Sequence, residues 1–239
     1  MLDKIFKLRE RNTSFKQEAI GGTVTFLTMA YIIFVNPNIH SAAGMDKAAL
    51  ISVTCIAAII GTLLVGLWAN VPFAMAPGMG LNAMFAFTLV MSDGATWQQA
   101  LGVVTLSAIV FVLISILGIR HKIVDAIPES LRVAIGAGIG LFIAFIGFKQ
   151  MGLIVANPAT LVGLGKFTPA VVIGLIAFII TVFLEIRKVK GSILIGILTA
   201  TVLGFIFDDS IKMPTEFIST PPSIAPDFGQ LEILSVLKI

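Results

Sequence analysis

The chain has 239 residues, of which 57% are hydrophobic and 12% are charged, and its formal net charge is +3. Soluble domains carry about 25% charged residues, so this composition indicates an integral membrane protein and excludes an ordinary soluble domain. Lysines and arginines that flank apolar segments set membrane topology, so the positive charge is not a sign of nucleic-acid binding. The single cysteine, Cys55, excludes a disulfide framework.

The first element is a mixed-charge, amphipathic segment over residues 1–13, which we interpret as a short interfacial helix on the cytoplasmic side of the membrane. Ser14, with Gln17 three residues later, has the spacing of a capping box and marks the start of the first span. Asn36-Pro37 is predicted to end that span, which therefore covers about residues 15–35.

Long uncharged windows follow one another from residue 19 to residue 207. A helix needs roughly 17–25 apolar residues to cross the hydrocarbon of a bilayer, so the windows predict an all-α polytopic membrane protein. Its transmembrane domain covers residues 14–207 and has about seven segments. After the first span these are residues 48–68, an irregular third segment, and residues 97–118, 131–148, 169–186 and 192–207.

Residues 208–239 differ in character from the spans, because they contain four prolines and five acidic residues. They predict an extracytoplasmic loop with a short amphipathic helix near residues 231–237. We expect the chain to be truncated after this loop.

The distribution of charge predicts the orientation of the chain. With the N-terminus in the cytoplasm, eleven lysines and arginines fall in inner segments and five in outer segments, which fits the excess of positive charge on cytoplasmic loops. Because seven is an odd number, a homologous half fused after this one would enter the membrane with the opposite orientation, as in an inverted-repeat transporter.

The third segment is the most informative stretch of the sequence. Pro72 and Pro77, followed by Gly78 and Gly80, cannot lie in a continuous helix, although they fall within an uncharged window. They predict an extended strip over residues 72–76 and a half-helix that begins at about Pro77–Gly78. Irregular backbone at membrane depth is tolerated where it is buried in protein or lines a cavity. A simple proline kink packed against other helices is the alternative interpretation.

Such a strip suits a planar ligand. Its backbone donors and acceptors match a ring with alternating donors and acceptors, such as a nucleobase, and Phe73 could flank the face of the ring.

Two motifs resemble a known family. The stretch PFAMAPGMGLNA, residues 72–83, resembles the third-span signature of the nucleobase–cation symporter family, the xanthine/uracil permeases. The stretch TFLTMAYIIFVNP, residues 25–37, resembles the first span of its adenine/guanine/hypoxanthine branch, and SAAGM at residues 41–45 fits that branch too. The resemblance covers essentially the whole chain.

The resemblance implies a fold of fourteen segments in two inverted repeats of seven, of which this chain is the N-terminal half. It implies that a purine base binds at the midplane between segments three and ten, each broken into a strand and a half-helix, and that protons drive uptake across the cell membrane. On this chain it implies Phe73 and Ala74 beside the base, then Met75, Ala76 and the start of the half-helix at Gly78. On the first span it suggests a set of three residues, Thr28, Ala30 and Tyr31.

The chain departs from the family in one respect. The family's substrate-binding and proton-linked carboxylates belong to segments eight and ten, and no aspartate or glutamate is expected inside a predicted span here. The implied partners are therefore a purine base, protons, the lipid bilayer and a missing C-terminal half or second chain. We interpret the chain as a truncated purine transporter half that lacks the coupling carboxylates.

Other functions remain as alternatives. An anion transporter of the sulfate type has the same architecture, and a half-helix terminus also suits an anion. A non-transporting membrane remnant is a further possibility. No nucleophile–base set and no metal-ligand spacing is present, so we predict neither an enzyme nor a bound cofactor or metal. His40 and His121 are expected in loops, and Asn36 and Asn82 are functional groups, helix caps or interhelical hydrogen-bonding groups.

The orientation can be tested with reporter fusions. A reporter fused after Lys190 should be cytoplasmic and one fused after Ser219 extracytoplasmic, because the charge asymmetry places the N-terminus inside. Paired phosphatase and fluorescent-protein fusions measure this directly, and the reverse pattern would refute the topology.

Overall fold

The structure is a computed structural model, and it describes residues 6–189, 191–208, 211 and 220–233. Most of these residues are helical, because a helix satisfies the backbone hydrogen bonds of a long apolar run within the run itself. The elements are α1 (Phe15–Met29), α2 (Ile32–Ser41), α3 (Lys47–Leu64, with a π-helical end Val65–Ala69), α4 (Met79–Ala83, continued by the π-helix Met84–Ser92), α5 (Trp97–Ile116), α6 (Ile119–Ala126), α7 (Glu129–Met151), β1 (Ile154–Asn157), β2 (Leu161–Leu164), α8 (Pro169–Ile186) and α9 (Ser192–Phe207).

Five helical stretches among the described residues are long and apolar enough to cross a membrane: Phe15–Ser41, Lys47–Ala69, Trp97–Ile116, Glu129–Met151 and Pro169–Ile186. Two further apolar helices, Met79–Ser92 and Ser192–Phe207, are shorter. The prediction of a helical polytopic membrane protein is therefore confirmed, and five of its spans have full length.

The first span differs from the prediction. α1 ends at Met29, and α2 restarts at Ile32 and continues through Pro37 to Ser41, so the prediction that Asn36-Pro37 ends the span is wrong. Pro37 has no amide to donate to the carbonyl four residues earlier, but Pro37 and Ile39 are both buried. Burial of this turn compensates for the hydrogen bond that Pro37 cannot make, so the helix continues through the proline.

The N-terminal segment is also different from the prediction. Lys7 and Asn12 both have a φ of 51°, and the residues between them form turns, so the predicted interfacial helix is wrong for this stretch. The predicted start of the first span is confirmed, because the Ser14 hydroxyl accepts a hydrogen bond of 3.3 Å from the Gln17 amide. Residues 1–5 lie outside the described part of the chain.

Three further features correct the sequence interpretation. The expected inner loop after α5 contains the helix α6, which begins after Gly118 at a φ of 71°. The expected outer loop near Asn157 contains an antiparallel hairpin of β1 and β2, so the fold is not purely α. Glu18 and Glu185 lie in the terminal turns of α1 and α8, so the predicted absence of acids from the spans is wrong at these helix ends.

The hairpin turn follows from its sequence. The Asn157 side-chain oxygen accepts hydrogen bonds from the amides of Ala159 at 2.8 Å and Thr160 at 3.3 Å, which closes the turn that Pro158 begins. In residues 208–239, the described part contains a turn over residues 224–229, and the predicted amphipathic helix near residues 231–237 falls mostly outside the described residues.

The chain divides into two compact units. The first consists of residues 1–31, 61–75 and 144–220, and the second of residues 32–60, 76–143 and 221–239. In the first unit α8 and α9 pack so closely that a Cβ atom at Gly196 would overlap the Thr181 Oγ1 atom. In the second unit a small core forms from Ile39, Ala43, Phe85, Ala86 and Ala100.

Candidate functional site

The third segment is broken, as predicted. The π-helical end of α3 stops at Asn70, which has the left-handed angles φ 52° and ψ 43°. Residues 71–78 have no regular secondary structure, and α4 begins at Met79 after the extended residue Gly78 (φ −80°, ψ 110°). The prolines at 72 and 77 explain the break, because neither can donate an amide hydrogen bond to a preceding turn. The alternative of a simple kink in a continuous helix is therefore excluded.

From here on, the strip means residues 71–75, the part of the broken segment that belongs to the first unit. It contains three of the predicted site residues. Phe73 has 68% of its side chain exposed and Met75 45%, whereas Ala74 is half-buried. The Phe73 amide donates a hydrogen bond of 2.9 Å to the Val71 carbonyl, which forms a tight local turn. The Met75 amide donates a hydrogen bond of 3.0 Å to the Thr62 hydroxyl in α3. The strip therefore presents an aromatic side chain beside backbone that is held in place.

The beginning of the strip contacts the N-terminal segment. The Arg11 guanidinium donates a hydrogen bond to the Asn70 carbonyl, at the point where the π-helical end of α3 stops. The two segments border a cleft of about 320 Å³, which is lined by Phe6, Leu8, Arg11, Phe15, Glu18, Ala19, Gly66, Asn70, Val71 and Pro72. A basic side chain at the carbonyl end of a helix is electrostatically favourable.

The predicted site residues of the first span lie at a second break. Ala30 and Tyr31 separate α1 from α2, and both are half-buried. The Thr28 hydroxyl donates to the Val24 carbonyl at 3.0 Å and to the Thr25 carbonyl at 2.9 Å, so its hydrogen bonds are made within its own helix. Among the described residues no hydrogen bond joins Thr28 or Tyr31 to the strip of residues 71–75. Ala76 and Gly78, both exposed, belong to the second unit.

A buried polar network joins three helices of the second unit. The side-chain amide of Asn36 donates a hydrogen bond of 2.7 Å to the Thr54 hydroxyl, and that hydroxyl donates to the Leu50 backbone carbonyl at 2.6 Å. The Asn82 amide in α4 donates to the Asn36 side-chain oxygen. Asn36 is 6% exposed and Thr54 2% exposed. The sequence interpretation allowed this role for Asn36 and Asn82, and it missed Thr54, because nothing in the sequence distinguishes its hydroxyl from those of Ser52 and Thr62 in the same helix.

His40 lies beside the same network, so its prediction as a solvated loop residue is wrong. It lies in the last turn of α2 and packs edge-on against Phe85 with ring centroids 4.9 Å apart. Its Nδ1 atom is buried and has no hydrogen-bond partner among the described residues. Burial of the α2 turn that contains Pro37 brings His40 inside, which local sequence rules do not register.

The described residues contain no group of three or more histidine, cysteine, aspartate or glutamate side chains that could hold a metal ion. The groups that the broken segment offers to a ligand are backbone donors and acceptors, an aromatic face and small side chains. These suit non-covalent binding of a planar, polar molecule.

Membrane-length helices combined with a helix broken at two prolines are the features of a polytopic membrane protein, and a broken segment is typical of transporters. Residues 16–234 match the xanthine/uracil permease model, which is described as a permease family, and the chain belongs to this family. It is therefore a member of a family of transporters and not an enzyme.

Similar proteins carry more specific names. The chain is 43% identical to an adenine permease of Escherichia coli over 98% of its own length and 52% of that protein. It is 44% identical to a guanine/hypoxanthine permease of Bacillus subtilis over 94% of its length and 53% of that protein. It is 45% identical to a putative permease of Methanocaldococcus jannaschii over its whole length and 55% of that protein. The chain thus spans about half the length of the curated relatives it matches.

The buried network can be tested with Thr54→Val. This substitution keeps the shape of the side chain but leaves the Asn36 amide buried without its acceptor, so the free energy of unfolding should fall by about 1–3 kcal/mol. Unfolding of the purified chain in detergent measures this change. Thr54→Ser should restore most of the stability.

Thr201→Val is the matched control, because the Thr201 hydroxyl donates only to the Ile197 carbonyl of its own helix and is exposed. Equal losses in Thr54→Val and Thr201→Val would show that the network contributes nothing beyond a local hydrogen bond.

Proposed function

We propose that the chain is the N-terminal half of a purine nucleobase permease of the plasma membrane, in which protons drive uptake by the whole protein. The observation that carries the proposal is the break at residues 71–78 in a family whose members include adenine and guanine/hypoxanthine permeases. Backbone without a helical partner is stable at membrane depth only where protein or a cavity ligand satisfies it.

The proposed architecture is seven segments that form the first of two inverted repeats. Five long helical stretches and two shorter apolar helices support this number. Residues 14–207 are the transmembrane domain, residues 1–13 are cytoplasmic, and residues 208–239 lie outside. A second half of seven segments would enter with the opposite orientation and supply a second broken segment.

Contacts within each unit support the proposed topology, in which successive connections between segments lie on alternate sides of the membrane. In the first unit Arg11 reaches Asn70, as expected if the chain crosses the membrane once with α1 and α2 and returns with α3. In the second unit the backbone amide of Asp46 donates a hydrogen bond of 3.2 Å to the Asp227 carboxylate. The Ser52 hydroxyl donates a hydrogen bond of 2.7 Å to the Pro222 carbonyl. The start of α3 and the segment that follows α9 therefore meet at one end, which agrees with their assignment to the outer side.

The proposed binding mode places the purine ring against the strip. Phe73 offers an exposed aromatic face for stacking, and Ala74 beside it leaves room for the ring. The backbone near Met75, Ala76 and Gly78 offers donors and acceptors to the edge of the base. The remaining proposed contacts lie at the break of the first span, at Thr28, Ala30 and Tyr31.

The alternatives are not favoured. The named relatives are adenine and guanine/hypoxanthine permeases, which supports a purine over an inorganic anion such as sulfate. A transporter half is also a better account than a remnant, because the broken segment and its hydrogen-bonded support are intact.

Phe73→Ala tests the binding mode. The variant is made in a fusion transporter, which joins residues 1–239 to the C-terminal half of the guanine/hypoxanthine permease of Bacillus subtilis. Base–aromatic stacking contributes roughly 1–3 kcal/mol, so the apparent KM for labelled hypoxanthine should rise by about 5- to 150-fold. Phe73→Trp should retain most of the affinity.

Phe167→Ala is the control for this substitution, because Phe167 is 61% exposed and lies in the connection before α8. An unchanged KM in Phe73→Ala at normal surface expression would count against the binding mode. Saturable uptake of sulfate but not of hypoxanthine would favour the anion alternative.

Residues 1–239 expressed alone should not accumulate purine. The described acids of the spans lie at helix ends, and one broken segment has no second broken segment to complete the site. An antiparallel homodimer would need half of the copies to insert against the charge asymmetry. Labelled hypoxanthine uptake in a purine-transport-deficient cell measures this, with the fusion transporter as the positive control. Saturable, uncoupler-sensitive uptake by residues 1–239 would contradict the prediction.

A further inference from the structure

The side chain of Thr62 is used differently from most other threonines inside the described helices. Its hydroxyl accepts the 3.0 Å hydrogen bond from the Met75 amide, and it lies 3.5 Å from the Met75 carbonyl oxygen, at the limit of a hydrogen bond. Seven other threonines inside the described helices donate instead to a carbonyl of their own helix four residues earlier. These are Thr23, Thr25, Thr28, Thr54, Thr181, Thr199 and Thr201.

Gly61 allows this contact to form. A Cβ atom at Gly61 would lie 3.0 Å from the Met75 Cβ atom, which is closer than side chains normally approach. The glycine therefore lets the strip come close to α3, and the adjacent hydroxyl then reaches the Met75 backbone. We call Gly61 and Thr62 together the Met75 dock.

The dock replaces hydrogen bonds that the strip has lost. Residues 72–77 lie outside the helices and make no hydrogen bond of a helical turn, and Pro72 and Pro77 have no amide hydrogen at all. In the interior of a membrane no water is available for an amide such as that of Met75, so a side chain from a neighbouring helix is the available substitute. Because the dock holds the backbone at Met75, it also restricts the two preceding residues, Phe73 and Ala74.

We propose that Gly61 and Thr62 are positioning residues for substrate binding. They hold the strip so that Phe73 faces the purine ring, and they act through the Met75 backbone without touching the base. This proposal rests on the proposed function, which places Phe73 and Ala74 beside the ring. Loss of the dock should loosen the strip and weaken binding, with no direct effect on the conformational cycle.

The first test measures the strip itself and needs no transport. Hydrogen–deuterium exchange is followed in peptides that cover residues 73–76 of the purified chain in lipid nanodiscs. In Thr62→Val the Met75 amide loses its acceptor, and its exchange should become about 2- to 10-fold faster, as expected for the loss of one net hydrogen bond. Thr62→Ser should exchange at close to the wild-type rate.

Two further variants complete this test. Gly61→Ala keeps the hydroxyl but pushes Met75 away from α3, so it should also accelerate exchange in residues 73–76. Thr199→Val is the matched control, because it removes a hydroxyl that donates only to the Ile195 carbonyl, and it should leave that exchange unchanged. Unchanged exchange in both Thr62→Val and Gly61→Ala would show that the Met75 dock does not hold the strip in place.

The second test measures binding in the fusion transporter. Thr62→Val should raise the apparent KM for hypoxanthine by about 3- to 10-fold with little change in maximal rate per surface-expressed molecule, and Thr62→Ser should restore the KM. A general folding defect would instead lower surface expression and maximal rate. Faster exchange with an unchanged KM would show that the dock does not position substrate.

The two proposals fail in different ways. If the wild-type fusion transporter takes up no purine although it reaches the surface, the proposed function is wrong, and the exchange measurement still decides whether the dock exists. If purine uptake is normal and Thr62→Val changes neither exchange nor KM, the positioning role is wrong and the proposed function stands.

Discussion

Hydrogen bonds of the backbone have to be satisfied within the protein wherever a chain crosses hydrocarbon, because no water is available there. Most of this chain meets the constraint with continuous helices such as α5, α7 and α8. Residues 71–78 do not, and the structure around them is arranged to compensate. The Thr62 hydroxyl takes the Met75 amide, and Arg11 donates to the Asn70 carbonyl. A broken segment can therefore be stable and still present its remaining backbone groups to a ligand.

The second unit meets the same constraint with side chains. Asn36, Thr54 and Asn82 would each be costly in an apolar environment as isolated polar groups, and their mutual hydrogen bonds make them compatible with burial. The network joins α2, α3 and the start of α4, so the half-helix is tied to two other helices directly after the break.

The surface of the described chain is strongly apolar, with side chains such as Trp68 and Leu141 exposed by 88% and 74%. Lipid covers such a surface in a membrane protein, and in a protein about twice as long a second half would cover part of it. This explains why helices with so little internal burial are nevertheless long, regular and rich in branched aliphatic residues. The glycines of α7, such as Gly136 and Gly140, likewise have no other described atom within 4 Å of an added Cβ atom.

Hydropathy and proline positions in the sequence were sufficient to predict the membrane class, the boundaries of α8 and α9 and the break near Pro77, because these depend on local backbone chemistry. The motif at residues 72–83 indicated the family for the same reason, since it is a contiguous stretch. Tertiary packing alone decided the continuation of α2 through Pro37, the burial of His40, and the partners of Thr54 and Thr62. Each of these depends on which neighbour lies opposite a residue, and a residue's own segment does not contain that information.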